Sequence, residues 1–196
     1  IRRACLKAPK FGNDDDYVDL IAREVHHRTE AAMETVKGRF GLPKRGDGSA
    51  VSATYGLAPG TPATPDGRMD GDPFADSTLA PQPGADRKGP TAVLNSCAKV
   101  DTLQTYNHLL NQKIQPQFLE GEMKPVFIDY LKTWRQMKVP HIQFNVVDRE
   151  TLLEAQNRPE KFQDLIVRVA GYSAHFVELS RGLQDHIIAR TEQKLA

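Results

Sequence analysis

Residues 165–179 read LIVRVAGYSAHFVEL. Leu165, Ile166, Val167 and Val169 make an apolar, largely β-branched extended run, Tyr172 to Leu179 alternates, and a single residue, Gly171, stands between the two. Two extended pieces meeting at one residue require a tight reversal. Glycine suits that position because it enters the left-handed backbone region without steric cost, so Gly171 taken alone reads as a turn residue.

Working outward, HIQFNVV at 141–147 alternates as a strand, residues 149–158 suit a short helix stopped by Pro159, and residues 183–194 suit a closing helix with Ile187 and Ile188 facing inward. Upstream, Pro125 opens a helix carrying Phe127, Tyr130, Leu131, Trp134 and Met137 as a core-facing stripe. Asp101 is placed to cap another helix bearing Leu103, Tyr106, Leu109, Leu110 and Ile114, which Pro116 ends. TAVLNSCA at 91–98 suits either a short strand or a helix start. Between 59 and 90, seven prolines and five glycines exclude regular elements. Met69, Phe74 and Leu79, with turn signals at Asp66-Gly67 and Asp72-Pro73, make this an ordered loop packed on a larger body rather than a linker. Residues 50–55 alternate as a strand. Before them, Val18, Ile21, Ala22, Val25, Ala32 and Val36 recur at near-helical spacing behind Asp14, Asp15 and Asp16, whose carboxylates suit helix capping or, alternatively, a cation.

The chain has 196 residues, 39% hydrophobic and 26% charged, enough for one core or two small ones. Twenty-six Lys and Arg against 25 Asp and Glu leave a formal charge of +1, which argues against nucleic acid or an anionic membrane as partner. No apolar run approaches the roughly 20 residues that span a bilayer, and the expected compartment is the cytoplasm. The first residue is Ile1, so the chain is processed or is a segment of something longer. Six histidines show no H-x-x-x-H pair and no cysteine at metal spacing, so no metal site is expected. Neither a nucleophile elbow nor a P-loop nor a dinucleotide-binding fingerprint occurs. Of the two cysteines, Cys5 and Cys97, the second is flanked by small and apolar residues; it is a buried inert thiol or, alternatively, a nucleophile with a distant histidine.

The string Arg168, Val169, Ala170, Gly171, Tyr172, Ser173, Ala174, followed by Phe176, Val177 and Leu179, closely resembles the radical-bearing loop of glycyl radical enzymes. The resemblance runs through the chain in order: APKFGNDDDYVD at 8–19, ATPDGR at 63–68, KGPTAVLNS at 88–96 and HIQFNVV at 141–147. These segments look most like the branch containing glycerol and diol dehydratases, choline lyase, isethionate lyase, aryl-acetate decarboxylases and benzylsuccinate-type synthases, rather than pyruvate formate-lyase (formate C-acetyltransferase) itself. Glycine fits the role chemically. Loss of one α-hydrogen leaves a planar carbon radical shared between the amide nitrogen and the carbonyl, which a side chain would twist and obstruct.

The resemblance implies an α/β fold in which the radical loop enters the centre of a ten-stranded α/β barrel. Residues 1–140 would be the carboxy-terminal part of that barrel, with the 59–90 loop, and residues 141–196 the glycyl radical domain. It implies an anaerobic lyase or dehydratase in which Gly171 stores the radical and generates a thiyl on an upstream cysteine. The Cys-x-Glu motif that carries that thiol in the family does not occur here, so the chain reads as the carboxy-terminal part of such an enzyme, inactive alone. Expected partners are the cysteine-bearing remainder, in the same or a separate chain, and a second copy of the whole enzyme. No cofactor is expected on this chain; a separate S-adenosylmethionine-dependent iron–sulfur activating enzyme would install the radical. Val51, Ala53 and Tyr55 would line the substrate cavity or simply pack in the core. Arg168, Val169, Ala170, Tyr172 and Ser173 would form the radical loop, with Arg168 held by a carboxylate and Tyr172 shielding the radical. The alternatives are a synthase adding a hydrocarbon to fumarate, an aryl-acetate decarboxylase with the same loop, or a non-catalytic spare domain that replaces a damaged one.

Overall fold

The computed structural model describes residues 1–46, 56–102, 108–190 and 192–193. After a short helix α1 (Arg2–Lys7), helix α2 spans Asp16–Glu34 and helix α3 spans Pro90–Lys99. Strand β1 (Leu110–Ile114), helix α4 (Lys124–Gln136), strand β2 (Ile142–Val146) and helix α5 (Arg149–Asn157) follow. Strands β3 (Ile166–Arg168) and β4 (Ser173–His175), helix α6 (Arg181–Ala189) and strand β5 (Glu192–Gln193) complete the order. β2, β1 and β5 form a parallel sheet in that order, and β3 pairs antiparallel with β4.

The segment 110–114, expected as the end of a helix, is a strand. Four of its five residues are buried between two parallel neighbours, and the three central ones, Asn111, Gln112 and Lys113, are polar, so the segment carries no alternation of apolar and polar residues that would mark a strand. Asp101 takes φ +55° just beyond α3, and Leu103 and Tyr106 of the helix it is expected to cap lie outside the described residues. The closing helix likewise ends at Ala189, earlier than the sequence suggests, and the chain then adds β5 beside β1. TAVLNSCA lies in α3, which opens on Pro90, a residue whose fixed φ and missing N–H cost nothing at a helix start.

The three aspartates before α2 divide their work. Asp15 caps the helix by accepting from Tyr17 N at 3.0 Å, while Lys99 reaches Asp14 and Asp16 at 2.6 Å and the buried Asp19 at 3.1 Å. The cation among these carboxylates is thus Lys99. Because α2 rests on α3 through Asp19, with Ser96 Oγ donating to it at 2.9 Å, the helix turns a polar face inward. Of the apolar residues whose spacing marks this helix, Ile21 and Val25 are exposed, together with Tyr17 and Leu20, while Val18 and Ala22 are half-buried.

Two apolar clusters hold these elements. One joins Leu79, Val93, Leu94, Cys97, Leu110 and Tyr130; the other joins Val147, Leu152, Val167, Val169, Phe176 and Ile187. Within the 59–90 loop, Arg68 is buried and its guanidinium donates to the carbonyls of Thr61, Pro62, Met69 and Asp72 at 2.6–3.0 Å, lying 4.4 Å over the Phe74 ring. Four backbone acceptors on one planar fork tie a segment without helix or strand into one shape. Among the described residues, no helix is long and apolar enough to cross a membrane.

Candidate functional site around Gly171

Gly171 sits at the turn between β3 and β4 with φ +77°, where a Cβ would be strained. Val169 N donates to Tyr172 O at 2.9 Å and Phe176 N to Leu165 O at 2.8 Å, closing the hairpin on both sides of the turn. Its stems are fixed by Val167, Val169 and Phe176 in the second cluster. Gly171, Tyr172 and Ser173 at its tip are exposed.

Both peptide groups of Gly171 are held. Its N–H donates to Gln143 Oε1 at 3.3 Å, and its carbonyl accepts from Arg168 Nη2 at 3.2 Å. Arg168 also donates through Nε to the same Gln143 Oε1 at 3.0 Å and through Nη1 to Ser173 Oγ at 3.2 Å. The expected carboxylate partner of Arg168 is therefore replaced by three neutral oxygens, those of Gln143, Ser173 and Gly171. One step back, Asn145 grips the Arg168 backbone from both sides: Oδ1 accepts from Arg168 N and Nδ2 donates to Arg168 O, each at 2.6 Å. Arg190 donates to Arg168 O at 2.9 Å and to Val169 O at 2.5 Å, and its Nε pairs with Asp76 Oδ2 at 2.7 Å. Burial pushes the Asp76 carboxyl up and the Arg190 guanidinium down, and each opposes the shift of the other through its charge.

Gln143 and Asn145 occupy alternate positions of β2, so both project from one face of the sheet, toward the hairpin. On the opposite face Phe144 packs against Phe127 and Tyr130 of α4. Lys113, opposite Asn145 in the ladder, is buried on central strand β1 and donates to Ile188 O at 3.1 Å; burial pulls its ammonium down to about 8. The seat of the hairpin is thus a set of directional hydrogen bonds between two apolar clusters.

The loop motif marks Arg168 to Ser173 but not Gln143, Asn145, Arg190 or Asp76. The available signal was two amides two residues apart in a strand flanked by apolar residues, since buried amides require partners. Val51, Ala53 and Tyr55 lie outside the described residues. Cys97 is buried, its thiol donates to Leu79 O at 3.4 Å, and burial with nearby Asp19 and Asp86 pushes it well up, which disfavours the reactive thiolate. Among the described residues, no group of three or more His, Cys, Asp or Glu side chains is arranged to hold a metal ion. An open groove of about 810 Å³ lies between Leu6, Lys10, Asp66 and Arg87, and no residue of the hairpin lines it.

The family model described as Glycine radical matches residues 75–177, and one described as Pyruvate formate lyase-like matches residues 1–53. A trans-4-hydroxy-L-proline dehydratase from Clostridioides difficile is 44% identical over 191 residues, covering 95% of this chain and 24% of the relative. An indoleacetate decarboxylase from Tractidigestivibacter scatoligenes is 39% identical over 98% of this chain and 22% of its own length. A solved structure concerned with 1,2-propanediol dehydration in Roseburia inulinivorans superposes with a TM-score of 0.91 at 46% identity, over 98% of this chain and 24% of that one. The chain spans about a quarter of the length of the relatives it matches.

Proposed function

The chain belongs to the glycyl radical enzyme family, and from that premise we propose that it is the radical-storing portion of an anaerobic lyase, with Gly171 as the stored radical. The observation that carries the reading is the double restraint on Gly171, whose N–H is held by Gln143 and whose carbonyl is held by Arg168. A glycyl radical is delocalised over those two groups. Fixing both while leaving the Cα without a side chain keeps it open to a hydrogen donor and acceptor.

In this reading a separate S-adenosylmethionine-dependent iron–sulfur enzyme accepts one hydrogen atom from Gly171 Cα. The radical left behind takes a hydrogen atom from a cysteine thiol in the remainder of the enzyme: the S–H bond breaks, the Cα–H bond re-forms, and a thiyl results. That thiyl abstracts hydrogen from substrate, the substrate radical loses its leaving group, and the product radical recovers the hydrogen from the thiol. The remainder completes the ten-stranded barrel that receives the hairpin and covers the apolar side of α2, where Tyr17, Leu20, Ile21 and Val25 stand exposed. Dehydration of a small hydroxylated substrate is the favoured reaction, in keeping with the dehydratase likeness at 44% identity. Decarboxylation of an aryl acetate is the second reading, favoured by the indoleacetate decarboxylase relative.

The test is anaerobic electron paramagnetic resonance of the complete enzyme after activation, with Gly171→Ala as control, followed by assays with trans-4-hydroxy-L-proline, 1,2-propanediol and indoleacetate. A carbon-centred doublet that Gly171→Ala abolishes supports the radical role, and dehydration without decarboxylation separates the two reactions. Absence of the signal under an activation that succeeds on a related enzyme overturns the reading.

A further inference from the structure

We infer that Asp76 is a positioning residue for Gly171, acting through Arg190; the inference rests on the radical reading above. Asp76 belongs to the Pro/Gly-rich loop, and its place is set from the sheet: Asn111 Nδ2 donates to Asp76 O at 3.3 Å, and Asn111 N donates to Ser77 Oγ at 3.1 Å. Its carboxylate forms an ion pair with Arg190 Nε at 2.7 Å, a contact of charge rather than an aligned hydrogen bond, both side chains being 7% exposed. The other two arms of that guanidinium end on the carbonyls of Arg168 and Val169, and the Arg168 side chain ends on the carbonyl of Gly171. A guanidinium is planar and rigid, so anchoring its Nε end by charge constrains where the two opposite donors lie. Asp76 thereby aims the strand that leads into Gly171 without touching it.

The pair also joins segments that belong to different apolar clusters. Leu79, near Asp76 in sequence, belongs to the first cluster, whereas Val167, Val169, Ile187 and Ile188 around the Arg190 contacts belong to the second. The hairpin keeps its own ladder and its own core without Asp76. Loss of the carboxylate therefore releases the orientation of the hairpin rather than its fold, and it leaves a buried cation without its counter-charge.

The experiment uses the complete enzyme with Asp76→Asn and, separately, Arg190→Lys, which keeps the charge but loses the fork. Two quantities are read: hydrogen exchange of amides in 165–176 before activation, and the anaerobic half-life of the Gly171 radical after it. Expected are exchange about tenfold faster in 165–176 with α3 unchanged, and a radical that forms but decays several-fold faster. Asp76→Glu should restore both in part. Unchanged exchange in 165–176 in either variant, a uniform rise across the chain, or an unaltered radical half-life overturns the proposal. If the unsubstituted enzyme gives no glycyl signal, the radical reading falls, while the exchange result still decides whether Asp76 holds the hairpin.

Discussion

Gln143 Oε1 lies 3.3 Å from Gly171 N and accepts its hydrogen, and the same oxygen accepts from Arg168 Nε at 3.0 Å. One side-chain acceptor thus couples the proposed radical position to the arginine that holds its carbonyl. Gln143→Leu removes it and leaves both donors without this acceptor beside a buried strand position. The expected cost is about 1–3 kcal/mol, with a shorter-lived glycyl signal. Denaturation midpoints and the decay of the resonance signal check the two parts separately.

Asn145 makes the tighter restraint, because it pairs with both the N–H and the carbonyl of Arg168, each at 2.6 Å. Asn145→Ala should lower stability by about 2–3 kcal/mol. Asn145→Asp should do no better, since it keeps the acceptor but turns a second oxygen toward Arg168 O. Urea unfolding of the three proteins ranks them, and recovery of stability by aspartate would refute this account.

His186 supplies a pH dependence. It is buried on α6, and burial, aided by the neighbouring Arg190 charge, pulls its imidazole down to about 4. The unfolded chain binds the proton near pH 6.5, so between these values it holds more protons than the folded one, and stability rises with pH. The contribution is complete above pH 6.5 and is lost as pH falls toward 4, on the order of 3 kcal/mol in all. Melting temperatures of the complete enzyme between pH 7.5 and 4.5 should fall more steeply for the native protein than for His186→Gln. Equal slopes would assign the acid sensitivity elsewhere.

The apolar side of α2 predicts behaviour of the isolated chain. With Tyr17, Ile21 and Val25 exposed at four-residue spacing, the chain alone should self-associate, and Ile21→Glu with Val25→Glu should suppress this without altering its circular dichroism. Light scattering against concentration measures the effect. Monodisperse native chain would show that the stripe needs no cover.

Much of this was legible along the chain because it is local. The hairpin around Gly171 needs a glycine at positive φ between two extended runs, and Pro125 marks a helix start by a rule that acts within a turn. Strand 142–146 announced itself by alternation. What the sequence by itself determined, then, is the reversal at Gly171, most helices and the family likeness carried by short motifs. The tertiary fold decided that 110–114 is a strand, since its central residues Asn111, Gln112 and Lys113 are polar and leave no apolar period to read. It also decided that α2 turns Asp19 inward and Ile21 outward, because the partner of Asp19 is Ser96 on another helix, 77 positions away. And it brought Asp76, Gln143, Asn145 and Arg190 around one hairpin. Hydrogen bonds between side chains and backbone so far apart in sequence leave no periodic trace, and only the packing of the sheet against the hairpin makes them neighbours.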